Sequence, residues 1–160
     1  MGIVELSRKE FDDYAMNHKY RSFYQTSQYG TLMSKNGYEP KYVGLYDSSG
    51  VLKAATLILI KSLIFNTRFA YSPRGFLIDF NDYSLVEEFT EELRDYLLKQ
   101  KVLFLTIDPH VTHLERDKEG KPTNNGQNGV DISETLKRMG YDHRGFNLYF
   151  ENLKPRWNMV

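Results

Sequence analysis

The chain contains 160 residues, with 21 Lys and Arg against 21 Asp and Glu, and no Cys. This length, slightly above the roughly 100 to 150 residues of a typical domain, predicts one domain rather than two. The balanced charge excludes a uniform positive field that would hold nucleic acid or an anionic membrane, so any such contact needs a local patch. The absence of Cys excludes disulfides, thiol nucleophiles and thiolate metal sites, and it is typical of a reducing compartment.

No segment of the sequence predicts an export signal or a membrane anchor. The first ten residues, MGIVELSRKE, lack the apolar stretch of a signal peptide. The longest apolar run, residues 54–60, is far shorter than the ~20 residues that a membrane-spanning helix needs. The sequence therefore predicts a cytoplasmic protein without a transmembrane segment.

The first helix is predicted from local capping signals. Ser7 and Glu10 have the spacing of a capping box, and Leu6 with Phe11 occupies the two staple positions around it. These residues predict a helix that begins at Ser7 and runs to about Asn17.

A second, short helix is predicted after Thr26 or Ser27, either of which can act as its N-cap. Asn36 and Gly37 favour the left-handed conformation that ends a helix, so Lys35 should lie in the last turn. Three apolar residues fall on one face of this helix: Tyr29, Leu32 and Met33.

The middle of the sequence predicts two antiparallel hairpins. β-Rich runs at 41–46 and 51–64 flank the turn-forming residues 47–50. A second turn at 66–67 leads into a return strand at 68–71. A turn and a further apolar run then follow, at residues 72–75 and 76–80.

The clearest helix is predicted after Asn81 or Asp82, and a strand follows it. Residues 102–107 are almost continuously apolar, which predicts a strand covered on both faces. This strand delivers Asp108 to the edge of the sheet, where ligands often bind. The apolar positions of the helix have helical spacing: Leu85, Val86, Phe89, Leu93, Tyr96 and Leu97.

The C-terminal part is predicted to hold a long loop, a short helix and strands. Residues 110–130 are polar and rich in Asn and Gly, which indicates a mobile loop. Asp131 and Glu134 begin a short helix that ends at Gly140, with Leu136 and Met139 inward. We expect a strand at 146–150. Residues 154–160, KPRWNMV, enter another strand without a turn, cap or polar tail, which is typical of a boundary within a longer protein.

Asp108, His110 and His113 form the one cluster with residue types suited to a metal. Zinc would need further ligands in a defined geometry, and ordinary loop histidines are the favoured interpretation, so we predict no metal. The Gly-x-Ser-x-Gly elbow, the Walker loop and the Gly-x-Gly-x-x-Gly loop are all absent. Serine hydrolase and nucleotide-phosphate chemistry therefore lack their usual motifs, and we predict no cofactor.

The sequence contains six short segments in this order: YQT at 24–26, KNGYE at 35–39, FAYSPRG at 69–75, IDP at 107–109, MGY at 139–141 and PRWNMV at 155–160. Together they resemble a known family, the Fem family of peptidoglycan-bridge aminoacyltransferases. The predicted order of helices and strands also resembles the GNAT-type fold, which predicts an α+β protein with a mixed, mostly antiparallel sheet flanked by helices. The acetyl-CoA loop pattern of such enzymes, Gln/Arg-x-x-Gly-x-Gly/Ala, is absent, which disfavours an acyl-CoA substrate.

The resemblance implies that residues 1–153 are the acceptor-side domain of two GNAT-like domains in tandem, with 154–160 as the start of a crossover strand toward the second. It implies transfer of an amino acid from aminoacyl-tRNA, bound through that second domain, to the stem peptide of a muramyl-peptide precursor. The precursor would be lipid-linked or UDP-linked, and a lipid-linked one implies peripheral membrane contact. This fragment alone would be inactive.

The resemblance also implies roles for three residues. Lys35 would contact the diphosphate of the precursor, Asp108 would orient or deprotonate the acceptor amine, and Arg74 would contact substrate from an Arg-Gly turn. Each has an ordinary alternative: a helix-end cation for Lys35, a strand-end turn former for Asp108 and a turn clamp for Arg74.

Two departures from the family pattern leave the acceptor open. Phe76 stands where many relatives have proline, and Leu103 stands where a relative has a substrate-contacting tyrosine. Two other functions also stay open: a stand-alone GNAT N-acetyltransferase, and a non-catalytic domain that pairs through an edge strand. Acetyl-CoA binding would favour the first, and a concentration-dependent mass without a ligand response would favour the second.

Overall fold

A computed structural model of the chain describes residues 2–123 and 129–145. Within these ranges five strands form one sheet, in the order β1-β2-β3-β4-β5. Neighbouring strands are antiparallel except for β4 and β5, which are parallel. The strands are β1 Val4–Glu5, β2 Glu39–Tyr46, β3 Leu52–Ser62, β4 Arg68–Ser72 and β5 Val102–Ile107, and the α-helices are α1 Arg8–Asn17, α2 Ser27–Ser34, α3 Tyr83–Lys99 and α4 Val130–Arg138.

The predicted fold class, a mostly antiparallel mixed sheet flanked by helices, is confirmed. The strands predicted at 146–150 and 154–160 lie outside the described residues. None of the helices in the described ranges is both long and apolar enough to cross a bilayer.

The helices pack in two layers, one on each face of the sheet. On one face α1 and α2 cover a buried cluster, and on the other face α3 and α4 cover a larger one. β3 is buried on both faces because it lies in the middle of the sheet. The first cluster includes Leu6, Phe11, Ala15, Leu57, Leu59 and Leu77, and the second includes Val43, Ile58, Ile60, Phe76, Phe89, Leu93 and Ile132.

The predicted start of α1 is confirmed. The Ser7 hydroxyl accepts a hydrogen bond from the Glu10 backbone N–H at 3.2 Å, and the Glu10 carboxylate accepts one from the Ser7 N–H at 2.9 Å. Two N–H groups that lack partners within the helix are thereby satisfied. Leu6 and Phe11 are both buried.

Replacing Ser7 with Ala should lower the free energy of unfolding by about 1 kcal/mol, because the Glu10 N–H loses its cap. Chemical denaturation monitored by circular dichroism would measure this. Ser48→Ala is the matched control, since Ser48 is exposed and lies outside any helix or strand. Equal stability of the two variants would show that the cap contributes nothing.

Helix α2 begins as predicted but ends slightly earlier. Thr26 is the N-cap, and its hydroxyl accepts from the Tyr29 N–H at 3.2 Å. Lys35 is the C-cap and not part of the last turn, and Gly37 takes the left-handed conformation at φ 79°. Tyr29 packs against the core whereas Leu32 is 49% exposed.

The prediction that residues 102–107 are covered on both faces is wrong. β5 is the outer strand of the described sheet, and Leu103 and Phe104 are 67% and 51% exposed. Helix α3 packs against β5 from one side, where Val102 is buried. A continuous apolar run therefore does not by itself show that both faces are covered.

The described part of the long loop is locally ordered, and helix α4 begins earlier than predicted. Asp117 accepts backbone hydrogen bonds from Glu119 and Lys121, both at 2.9 Å, and Arg116 pairs with Pro122. The N-cap of α4 is Gly129 rather than Asp131. Its predicted stop is confirmed, because Gly140 is left-handed at φ 93°.

Candidate active site

Asp108 lies at the C-terminal end of β5, where two hydrogen bonds fix its carboxylate. Its Oδ1 accepts from the Tyr71 hydroxyl at 3.0 Å and from the Arg74 backbone N–H at 2.8 Å. Hydrogen bonds to a carboxylate are stronger than neutral ones. The side chain is half-buried, so it is held in a defined orientation and still reaches the surface.

The pairing of β4 with β5 brings these groups together. Ser72 is the register partner of Ile107, so the two parallel strands end side by side. The chain then turns at once, and Arg74 adopts the left-handed region at φ 53°. This conformation is uncommon for a residue other than glycine and often marks a functional site. In this conformation the Arg74 backbone N–H points at the Asp108 carboxylate.

The negative charge of Asp108 affects the pKa values of two neighbouring tyrosines. Burial, followed by the negative charge and hydrogen bond of Asp108, raises the pKa of Tyr71. Tyr71 therefore stays protonated at neutral pH and donates to Asp108. Burial also raises the pKa of Tyr29, with smaller contributions from Tyr24, Tyr38 and Asp108, so Tyr29 lies within electrostatic reach of the carboxylate.

His110 lies within electrostatic reach of Asp108 and Arg74. It lies at the surface, yet partial burial of its ring is the largest cause that lowers its pKa. The Arg74 cation lowers this pKa further, and the Asp108 charge opposes both effects. Within residues 2–123 and 129–145, no three His, Asp or Glu side chains converge to hold a metal ion.

Lys35 lies at the end of a different element, helix α2. It is exposed at the C-terminal end of α2, and no hydrogen bond or ion pair joins its ammonium to another residue of the described part. It is six positions beyond Tyr29 in the sequence, which corresponds to about 9 Å along a helix. The ring of the nearby Tyr38 accepts a cation–π contact from Lys61 Nζ at 4.8 Å. The contacts of the described residues thus join Asp108 to Arg74 and do not include Lys35.

The two residues that depart from the family pattern, Phe76 and Leu103, lie in different environments. Phe76 is fully buried and contacts Phe89 edge to face, with ring centroids 4.9 Å apart. It therefore anchors the end of the Arg74 turn in the core. Leu103 is exposed on β5.

A buried polar network supports the Arg74 turn, and the sequence did not predict it. Gln25 is 0% exposed; its Oε1 accepts from the Leu57 N–H at 2.8 Å and its Nε2 donates to the Pro73 carbonyl at 2.6 Å. The Thr56 and Ser72 hydroxyls are 2.6 Å apart beside it. The sequence held one signal of this network, the YQT segment at 24–26. The hydrogen-bond partners of Gln25 become clear only from the fold.

This chain belongs to the FemAB family, whose model its sequence matches over residues 6–160. The fold is also that of the protein in the "Crystal structure of FemX", with a TM-score of 0.77 and 19% identity. That similarity covers 98% of this chain and 36% of the FemX chain.

Two curated relatives carry the name aminoacyltransferase FemA. The FemA of Staphylococcus aureus strain bovine RF122 / ET3-1 is 30% identical over 161 residues, and that of Staphylococcus epidermidis is 32% identical over 162 residues. Each match covers 100% of this chain, which spans 38% of the length of these relatives.

Proposed function

We propose that this chain is the GNAT-like, acceptor-side domain of an enzyme that moves an amino acid from aminoacyl-tRNA to an amine on the stem peptide of a muramyl-peptide precursor. Membership of the FemAB family and the aminoacyltransferase relatives support this reaction class. The observation that carries the role of this domain is the Asp108 carboxylate, fixed by Tyr71 and Arg74 at the end of a strand.

The reaction converts an ester into an amide. The acceptor nitrogen attacks the ester carbonyl, a C–N bond forms, and the C–O bond to the tRNA ribose breaks. The amine loses a proton, and the ribose oxygen takes one up. Asp108 orients the amine and accepts its proton, because a carboxylate held by two donors keeps one orientation toward the acceptor.

Two cations complete the proposed site. The exposed Lys35 binds the diphosphate of the precursor, and the Arg74 side chain contacts the same substrate near Asp108. The precursor is lipid-linked or UDP-linked, and a lipid-linked one brings the protein to the membrane surface. Parts of the protein outside this chain hold the aminoacyl-tRNA, and the reaction takes place in the cytoplasm, where that donor is made.

The acceptor role is tested by titrating the chain and the complete gene product with a UDP-linked muramyl pentapeptide. Backbone NMR signals of Asp108, Arg74 and Lys35 should move in both. If only the complete gene product responds, or if the changes fall elsewhere, the acceptor site is not here. Saturable binding of acetyl-CoA would instead favour an acetyltransferase.

Replacing Lys35 with Ala should raise the Kd for the UDP-linked precursor about tenfold, since a charge-assisted hydrogen bond to the diphosphate is lost. Isothermal titration calorimetry on the complete gene product measures this. Lys118→Ala is the control, because Lys118 is equally exposed but lies in the 116–122 turn. A tenfold loss in both variants would indicate nonspecific charge attraction.

A further inference from the structure

The hydrogen-bond ladder of β3 has a gap that a side chain fills. Leu59 is the register partner of Tyr71 on β4, and Ala55 exchanges hydrogen bonds with Leu77. Leu57 lies between these two positions, and its N–H donates to Gln25 Oε1 at 2.8 Å. Gln25 therefore occupies the point where β4 leaves the side of β3.

The other end of the same amide holds the Arg74 turn. Gln25 Nε2 donates to the Pro73 carbonyl at 2.6 Å and lies 3.4 Å from the Ser72 hydroxyl. Gln25 is 0% exposed, so breaking these bonds would leave buried polar groups without partners. The carboxamide thus links the central strand to the residue that directly precedes Arg74.

We propose that Gln25 is a positioning residue for the Asp108 carboxylate. Its amide fixes Pro73, the turn then directs the Arg74 N–H at Asp108 Oδ1, and that bond orients the carboxylate toward the acceptor amine. The catalytic part of this inference rests on the proposed function. The structural part, control of the Arg74 to Asp108 bond by Gln25, does not.

Gln25→Met in the complete gene product tests both parts, because Met has a similar length and neither donates nor accepts strongly. We expect kcat for aminoacyl transfer to fall about 10- to 100-fold, since small displacements of a reacting group have effects of this size. The KM for aminoacyl-tRNA should not change. The Arg74 amide proton should move upfield in the NMR spectrum as its hydrogen bond to Asp108 weakens.

Leu93→Ala is the control for general destabilisation. Leu93 is 1% exposed in the cluster beneath α3. At a temperature where both variants are fully folded, Leu93→Ala should keep the kcat and the Arg74 amide signal of the unchanged protein. If it loses as much kcat as Gln25→Met, a nonspecific disturbance of the core explains the effect and the proposal fails.

Gln25→Glu provides a second test if Gln25→Met does not fold. A protonated carboxyl reproduces the donor and acceptor of the amide, and burial raises its pKa. Relative to the unchanged protein at the same pH, the activity of Gln25→Glu should therefore fall as the pH rises through that pKa, because the ionised form cannot donate to Pro73. The unchanged protein should lack this fall, and matching pH profiles would overturn the proposal.

Failure of the proposed function and failure of the proposal for Gln25 give different experimental results. If the unchanged protein transfers no amino acid, the proposed function fails, and the Arg74 amide signal in Gln25→Met still decides the structural part. If that signal stays in place and kcat is retained, Gln25 does not position Asp108.

Discussion

Replacing Asp108 with Asn in the complete gene product should lower kcat about 100-fold, because the amide cannot accept the proton of the acceptor amine. The fold should persist, since the Asn oxygen can still accept from the Arg74 N–H and the Tyr71 hydroxyl. A transfer assay with labelled aminoacyl-tRNA measures kcat, and thermal unfolding verifies the fold.

Asp117→Asn is the matched control for this change. Asp117 also accepts backbone hydrogen bonds in a turn, from Glu119 and Lys121, but it lies in the 116–122 segment. Its replacement should leave kcat unchanged. An Asp108→Asn enzyme with normal kcat would remove Asp108 from the chemistry and reduce it to a turn residue.

Replacing Gly75 with Ala should lower the free energy of unfolding by about 3 kcal/mol, through overpacking and broken hydrogen bonds. A Cβ at this position would collide with the Ser72 hydroxyl, and it would lie 2.8 Å from Thr56 Oγ1 and 3.2 Å from Gln25 Nε2. These atoms belong to the buried network and cannot move without losing their partners. Urea denaturation measures the change.

Gly50→Ala separates this steric effect from the usual effect of replacing glycine. Gly50 has a φ of 81° and nothing within 4 Å of the added Cβ, so only backbone strain of about 1 kcal/mol is expected. Gly75 should therefore be the more sensitive position. A smaller loss of unfolding free energy at Gly75 than at Gly50 would mean that the buried network adjusts to the added Cβ at little cost.

The elements predicted correctly are those set by neighbours in the sequence. The capping residue of α1, Ser7, and that of α2, Thr26, each bond a backbone group three residues away, and the Asp82 cap of α3 does the same. The environment of β5 depends instead on what packs across it. Its apolar composition could not show that Leu103 and Phe104 would be exposed.

The candidate site likewise combines residues that the sequence singled out with contacts that depend on distant parts of the chain. The resemblance to the family singled out Asp108 and Arg74 separately, but their hydrogen bond depends on the register of β4 with β5 and on the φ of Arg74. Gln25 was harder still, because its partners Leu57 and Pro73 lie far along the chain. Its contacts become clear only when the strand ends and turns have positions in space.

The parallel pairing of β4 with β5 has a consequence for the folding of the protein. Parallel neighbours cannot be joined by a tight turn, and here the connection runs through the whole of α3. The entropy of closing that crossover must be offset before Asp108 can meet Tyr71 and Arg74. The carboxylate therefore gains its orientation only when this long-range strand pairing has formed.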